Sequence, residues 1–174
     1  MNNKYIYYPP IDFDMEKICD IVNRNINAEI PGFASHQRKI ESEPYLVELQ
    51  SQYPFFSSLY NIYTTPPGYL TPIHICPGRG CAVNIPITYT EDSHTIFYDL
   101  PGVVEKTYST DRIYEIIESE AVEVFRYTLD RPTLMNTQHP HGVIGGPKRS
   151  RTIMSWSINL DWDYERTKGY FESL

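Results

Sequence analysis

TPIHICPGRGCAVNIPI, residues 71–87, reads as two short strands around a tight turn. In an extended chain successive side chains point to opposite faces. Ile73 and Ile75 therefore share one face, and His74 and Cys76 share the other. Pro77-Gly78 breaks the run, and the apolar stretch Cys81–Thr88 starts the next strand.

Working outward, the same pattern repeats along the middle of the chain. Strands are expected over Leu59–Thr64, Thr71–Ile75, Cys81–Thr88, Thr95–Tyr98, Val103–Tyr108, Val122–Leu129, Thr133–Met135, Gly142–Ile144 and Thr152–Leu160. Pro66-Pro67-Gly68, Pro101-Gly102 and Gly145-Gly146-Pro147 punctuate them. Asp111 to Glu120 reads equally as a helical turn or a strand. Many short strands at close spacing, with no helices alternating between them, indicate a barrel or sandwich and exclude a doubly wound α/β sheet.

Helical periodicity is confined to the ends. Asp14 is a cap for a helix carrying Met15, Ile18, Cys19, Val22 and Ile26 at three- and four-residue steps, ending before Pro31-Gly32. A second helix is expected from Glu43 to Gln52, with Tyr45, Leu46 and Leu49 inward. A last turn or two falls within Asp161–Leu174, weakened by Gly169. The expected organisation is one domain over 1–174: helical support in 1–58, a β core in 59–160 and a tail in 161–174.

Composition sets the outer limits. The chain has 174 residues, 41% hydrophobic and 21% charged, which suits one globular domain. Its 15 basic and 22 acidic residues give a net charge of −7, against a dedicated nucleic-acid binder. No apolar run approaches the roughly 18 residues of a membrane span, and MNNKYIYYPP does not read as a secretory signal. Three cysteines (Cys19, Cys76, Cys81) do not suggest a disulfide framework. A cytoplasmic setting is expected.

The five histidines are His36, His74, His94, His139 and His141. His74 and Cys76 on one strand face, with a distant His141 before another strand, are the ingredients of a three-ligand metal site that leaves one side open. Ten residues after His141, Arg151 opens the strand Thr152–Ile158. A guanidinium there suits a carboxylate. Arg149 is its competitor, two residues away. His139, held extended by Pro140, reads as a rim residue. His94 reads as exposed in a polar turn, and His36 as a loop residue. Glu118 and Glu120 read as a solvated surface pair, and Cys81 as core.

Residues 71–87 together with TLMNTQHPHGVIGGPKRSRTIMSWSI (133–158) resemble the iron(II)/2-oxoglutarate-dependent oxygenase superfamily, most nearly its compact aspartyl/asparaginyl hydroxylase-like and phage-encoded members. The resemblance covers about Leu59 to Leu160. It implies a mainly β double-stranded β-helix (a cupin-like jelly roll) with N-terminal helices flanking one sheet. It also implies Fe(II) and 2-oxoglutarate, with His74 matching the first histidine of a His-x-Asp motif, His141 the distal histidine and Arg151 the co-substrate anchor. Asn84, in Val83-Asn84-Ile85-Pro86, and Tyr63 are further candidates for binding the co-substrate. No residue is assigned as an acid, base or nucleophile, and the substrate-recognising segments, such as Thr88–His94 and Ser109–Glu120, carry no readable motif.

The departure from the family pattern is Cys76 in place of aspartate. A thiolate is softer than a carboxylate and shifts metal preference. Cys76 then ligates as a thiolate, or stands aside from a two-histidine site, or marks a barrel that has lost iron and serves as a binding module for a small molecule or protein. A Cys2His2 zinc site from Cys76, Cys81, His139 and His141 is a further alternative, although its spacing is not that of a zinc finger.

Overall fold

The computed structural model describes residues 3–26, 34–76, 78–99 and 121–174, together with the backbone of 107–109 and 112–114. Its elements run β1 (Ile6–Tyr7), α1 (Met15–Asn25), β2 (Ala34–Lys39), α2 (Pro44–Gln52), β3 (Phe56–Thr65), β4 (His74–Ile75), β5 (Cys81–Thr88), β6 (His94–Asp99), β7 (Thr107–Ser109) and β8 (Arg112–Tyr114). β9 (Val122–Tyr127), β10 (Thr133–Asn136), β11 (His141–Ile144), β12 (Arg151–Ile158) and α3 (Tyr164–Glu172) follow. The expectations that fall on 27–33, Pro77, 100–106, 110–111 and 115–120 lie outside the described residues, Glu118 and Glu120 among them.

The strands form two antiparallel six-stranded sheets. One has the order β1-β10-β5-β12-β3-β2, the other β7-β8-β4-β11-β6-β9. This is the expected mainly β jelly roll with few helices. The strand over Cys81–Thr88 has the bounds read from the sequence. The one over Thr71–Ile75 is reduced to His74–Ile75, because Pro72 has no N–H to give to a ladder.

β1 and β2 come from the part of the chain read as helical support. His36, read as a loop residue, lies in β2 at the edge of the first sheet, paired with Ile62. The sequence ASHQRK is polar on both faces, so alternation does not mark it as a strand. His94, read as lying in an exposed turn, instead begins β6, half-buried, with Nδ1 3.0 Å from Thr128 Oγ1.

The helices cover the outer face of the first sheet. Ile18, Ile21 and Val22 of α1, Leu46 and Leu49 of α2, and Tyr164 and Phe171 of α3 form one cluster with Tyr60, Ile62, Val83, Ile85, Met154 and Trp156. Trp156 stacks on Phe56 at 4.0 Å and donates from Nε1 to Ser57 O. Each fully buried side chain of this kind contributes about 1.5–3 kcal/mol. Asp14 caps α1 by accepting from Lys17 N, as expected. Asp163 caps α3 in the same way through Arg166 N, and Gly169 is accommodated within that helix.

Alternation along β12 divides the molecule. Met154, Trp156 and Ile158 face the helices, whereas Arg151, Ile153 and Ser155 line a cavity inside the barrel. The apolar core on the cavity side is the smaller one and contains Phe97, Tyr127, Leu129, Met135 and Ile153. Most of the hydrophobic burial therefore sits outside the barrel, which leaves the interior available for polar groups.

Candidate metal centre

His74 on β4 and His141 on β11 are direct partners in the antiparallel register. Cross-strand partners project side by side on one face, and their ring centroids lie 4.4 Å apart at an interplanar angle of 53°. Cys76 follows two residues after His74, on the same face. One ligand atom from each of His74, Cys76 and His141 lies within 4.8 Å of the others. Among the described residues, Cys81 and His139 are outside this group, so the Cys2His2 alternative is not assembled. Cys81 Sγ is buried against Trp162 O and Thr167 Oγ1, and His139 packs edge-on to Tyr5 at 5.3 Å.

Backbone carbonyls set the histidine tautomers. His74 Nδ1 is 2.8 Å from Pro72 O, and His141 Nδ1 is 2.8 Å from His139 O. A carbonyl only accepts, so each Nδ1 carries the proton and each Nε2 presents a lone pair. This outer hydrogen bond is the usual orienting device for a metal-ligating histidine. Burial, then the neighbouring His74 charge, pushes the His141 pKa down, which favours the neutral ring a metal needs.

Cys76 is under opposing influences. Burial pushes its thiol up, but the Arg79 guanidinium and hydrogen bonds with His141 and His74 outweigh that and hold it well below the ordinary thiol value. The donor set available to a metal is therefore two imidazole nitrogens and the Cys76 sulfur. A divalent ion about 2.1–2.3 Å from such atoms draws them to roughly 3–4 Å from one another, a modest closure from the arrangement present. The residues fit a metal ion with nitrogen and sulfur preference, and three ligands leave positions open for other groups.

The centre forms part of the wall of a cavity of about 240 Å³. Arg151, Asn84 and Tyr63 line the same cavity, whereas no Asp or Glu is among its described lining residues. Arg151 is 2% exposed and its Nε has no hydrogen-bond partner. Burial pushes its pKa down to about 10, only partly offset by Tyr127. Asn84 is 4% exposed; its Nδ2 donates to Met135 Sδ and its Oδ1 has no partner. Arg149, the competitor, is exposed before β12 begins and stacks on Tyr89, with 4.6 Å from the guanidinium carbon to the ring centroid.

Sequence reading missed Arg79. Its Nη1 donates to Ser155 Oγ at 3.0 Å and its Nη2 approaches Cys76 Sγ at 3.7 Å. It also hydrogen-bonds Tyr63. In the sequence it is an arginine between two glycines in a turn, and nothing there distinguishes it from a surface charge.

No protein-family model matches the chain, and no curated protein matches it. Solved structures do. The chain is similar to an oxidoreductase of the 2OG-Fe(II) oxygenase family from Burkholderia pseudomallei, with a TM-score of 0.55 and 9% identity over 88% of this chain and 81% of that one. It is also similar to a prolyl-4-hydroxylase from Pseudomonas putida, with a TM-score of 0.46 and 10% identity over 88% and 91% of the two chains. A third similar structure is hazelnut (Corylus avellana) vicilin, with a TM-score of 0.41 and 9% identity; the match covers 89% of this chain but only 32% of the vicilin. At such identities the first of these likenesses speaks for the jelly-roll fold alone.

Proposed function

We propose that the protein is an Fe(II)- and 2-oxoglutarate-dependent oxygenase that carries out hydroxylase-type oxidation within a single domain. The observation that carries this reading is Arg151: a buried cation with no counter-ion among the described residues, facing the cavity that also holds His74, Cys76 and His141. A buried charge costs several kcal/mol unless something pairs with it. A dicarboxylate with one end at the metal and the other at Arg151 supplies that partner.

In this reading His74 Nε2, His141 Nε2 and Cys76 Sγ hold the metal. Arg151 takes the distal carboxylate through a charge-assisted contact, with Tyr63 and Asn84 orienting the co-substrate. The apolar walls Ile153, Met135 and Val143 restrict water. Bound Fe(II) supplies the dioxygen chemistry by which 2-oxoglutarate and O2 become succinate and CO2 while one oxygen atom enters a C–H bond of the substrate. Cys76 stands where the family pattern has a carboxylate and offers the metal a softer donor. No helix among the described residues is long and apolar enough to cross a membrane. We expect a cytoplasmic enzyme with neither nucleic acid nor membrane as partner.

The test is anaerobic calorimetric titration of Fe(II), then of 2-oxoglutarate into the metal-loaded protein, followed by succinate release in air. Binding of both with succinate formed supports the oxygenase. Metal binding with no affinity for 2-oxoglutarate overturns it, leaving the jelly roll as a non-catalytic binding module.

A further inference from the structure

Arg79 sits on a turn that neighbouring segments hold on two sides. Within the turn, Arg79 N donates to Cys76 O at 3.3 Å. From the β10–β11 connection, Gln138 Nε2 lies 2.8 Å from Cys76 O and 2.7 Å from Arg79 O, while Thr137 Oγ1 donates to Arg79 O at 2.8 Å. Cys76 N donates in turn to Thr137 O at 2.9 Å. On the far side, a Cβ on Gly80 would lie 3.1 Å from Asp163 Cα and 3.2 Å from Trp162 O, so the chain before α3 packs directly on the turn. The Arg79 backbone is thus fixed relative to both Cys76 and the strand that carries His141.

The side chain is fixed as well. A guanidinium is planar, with its donors in a rigid fork. Nη1 donates to Ser155 Oγ on β12, and Nη2 of the same rigid fork lies 3.7 Å from Cys76 Sγ, so the two contacts together orient the group. Cys76 itself lies beyond the end of β4, where no ladder holds its side chain in register.

We propose that Arg79 is a positioning residue of the metal centre, its guanidinium tying Cys76 Sγ to β12 so that the sulfur stands in the ligand position. This rests on the metal-centre reading above. The physical need follows from the departure from aspartate. A carboxylate offers two oxygens and several approach directions, whereas a thiolate has a single sulfur on a short side chain. It ligates only where its one torsion places it. A guanidinium donor also withdraws charge from the sulfur, which moderates a soft ligand without removing it. Partners of this outer kind typically contribute about 10–100-fold to metal affinity.

Cobalt(II) is a suitable probe because a bound sulfur announces itself by a sulfur-to-cobalt charge-transfer absorption, which imidazole ligation alone does not give. The full chain is titrated anaerobically as wild type, Arg79→Met, Arg79→Lys and Ser155→Ala, with metal-free thermal unfolding recorded for each. The expected result is a charge-transfer band in wild type, a weakened band and about tenfold weaker binding in Arg79→Met, and partial recovery in Arg79→Lys, which restores the charge but not the fork. Ser155→Ala moves in the same direction by less, and it carries the comparison with Arg79→Lys if Arg79→Met does not fold. Variants that lose stability but keep the wild-type band and affinity overturn the positioning role and leave the metal centre standing. A wild-type spectrum without the sulfur band overturns it too. A wild type that binds no cobalt removes the metal centre, and this role with it.

Discussion

His74 and His141 face each other across two antiparallel strands as direct register partners, with ring centroids 4.4 Å apart. The pairing is a backbone property, so the two rings hold their spacing without a metal. Both Nδ1 atoms are committed to carbonyls at 2.8 Å, which leaves each ring only one nitrogen for a ligand. Replacing either residue with alanine is expected to abolish stoichiometric Fe(II) binding by anaerobic calorimetry while the fold persists by circular dichroism. Retention of wild-type affinity by both variants would refute the centre.

Cys76→Asp restores the carboxylate of an Fe(II) facial triad. Arg79 offers the new carboxylate a charge-assisted partner, so it is not left buried alone. Fe(II) affinity and succinate release are expected to rise, and Cys76→Ala to lower both. A Cys76→Asp protein that is less stable and gains no iron would identify Cys76 as a packing residue.

Arg151→Met keeps much of the side-chain volume and removes the uncompensated charge. The ligand-free variant is expected to be more stable than wild type by about 1–3 kcal/mol in urea unfolding. Wild type, in contrast, gains about 2.7 kcal/mol from 2-oxoglutarate at a hundredfold excess over its Kd, and the variant gains nothing. Equal stabilisation of the two proteins by 2-oxoglutarate would place the co-substrate elsewhere.

Gly145 lies against Pro66 O, and a Cβ there collides with that carbonyl. The segment after Pro66 supplies Tyr69, Thr71 and Pro72 to the cavity wall. Gly145→Ala should therefore displace the wall as well as cost about 1–3 kcal/mol of stability. The expected signature is a lower Tm together with weaker 2-oxoglutarate binding, whereas Fe(II) affinity changes little because His141 sits on the preceding register positions.

Alkaline stability reports on Cys81. Burial pushes its thiol from 9.0 up to about 12. Between those values the unfolded chain has lost the proton and the folded protein retains it, so the folded state binds more protons and its stability falls as pH rises. The contribution is fully present below about pH 9 and is lost progressively above it. Urea unfolding of wild type and Cys81→Ala across this range should show a shallower decline in the variant. Parallel declines would mean that the buried tyrosines, such as Tyr60, whose pKa burial raises to about 12, account for the effect.

Much of the site is legible in the residues because strand alternation is local. His74 and Cys76 share a face by their spacing alone, and the long apolar strands β5 and β12 announce themselves. The helix cap Asp14 likewise acts within its own turn. β2 is illegible for the opposite reason: ASHQRK has no apolar face, and it becomes a strand only because the edge of β3 offers it partners.

Local patterning settles which residues stand on a common side of each strand. Which side is the interior was decided by tertiary structure, because the helices gathered at the two ends of the chain cover one face of the first sheet and turn Arg151, Ile153 and Ser155 toward the cavity. That Arg151 rather than Arg149 faces the cavity depends on where β12 begins, and that His141 rather than His139 stands beside His74 depends on a register with β4 across the barrel. Arg79 depends on still more distant contacts, since Ser155 on β12, the Thr137–Gln138 segment and the packed Asp163 segment hold it in place. Alternation is a property of neighbouring peptide units, whereas charge burial and ligand convergence come from segments brought together by folding.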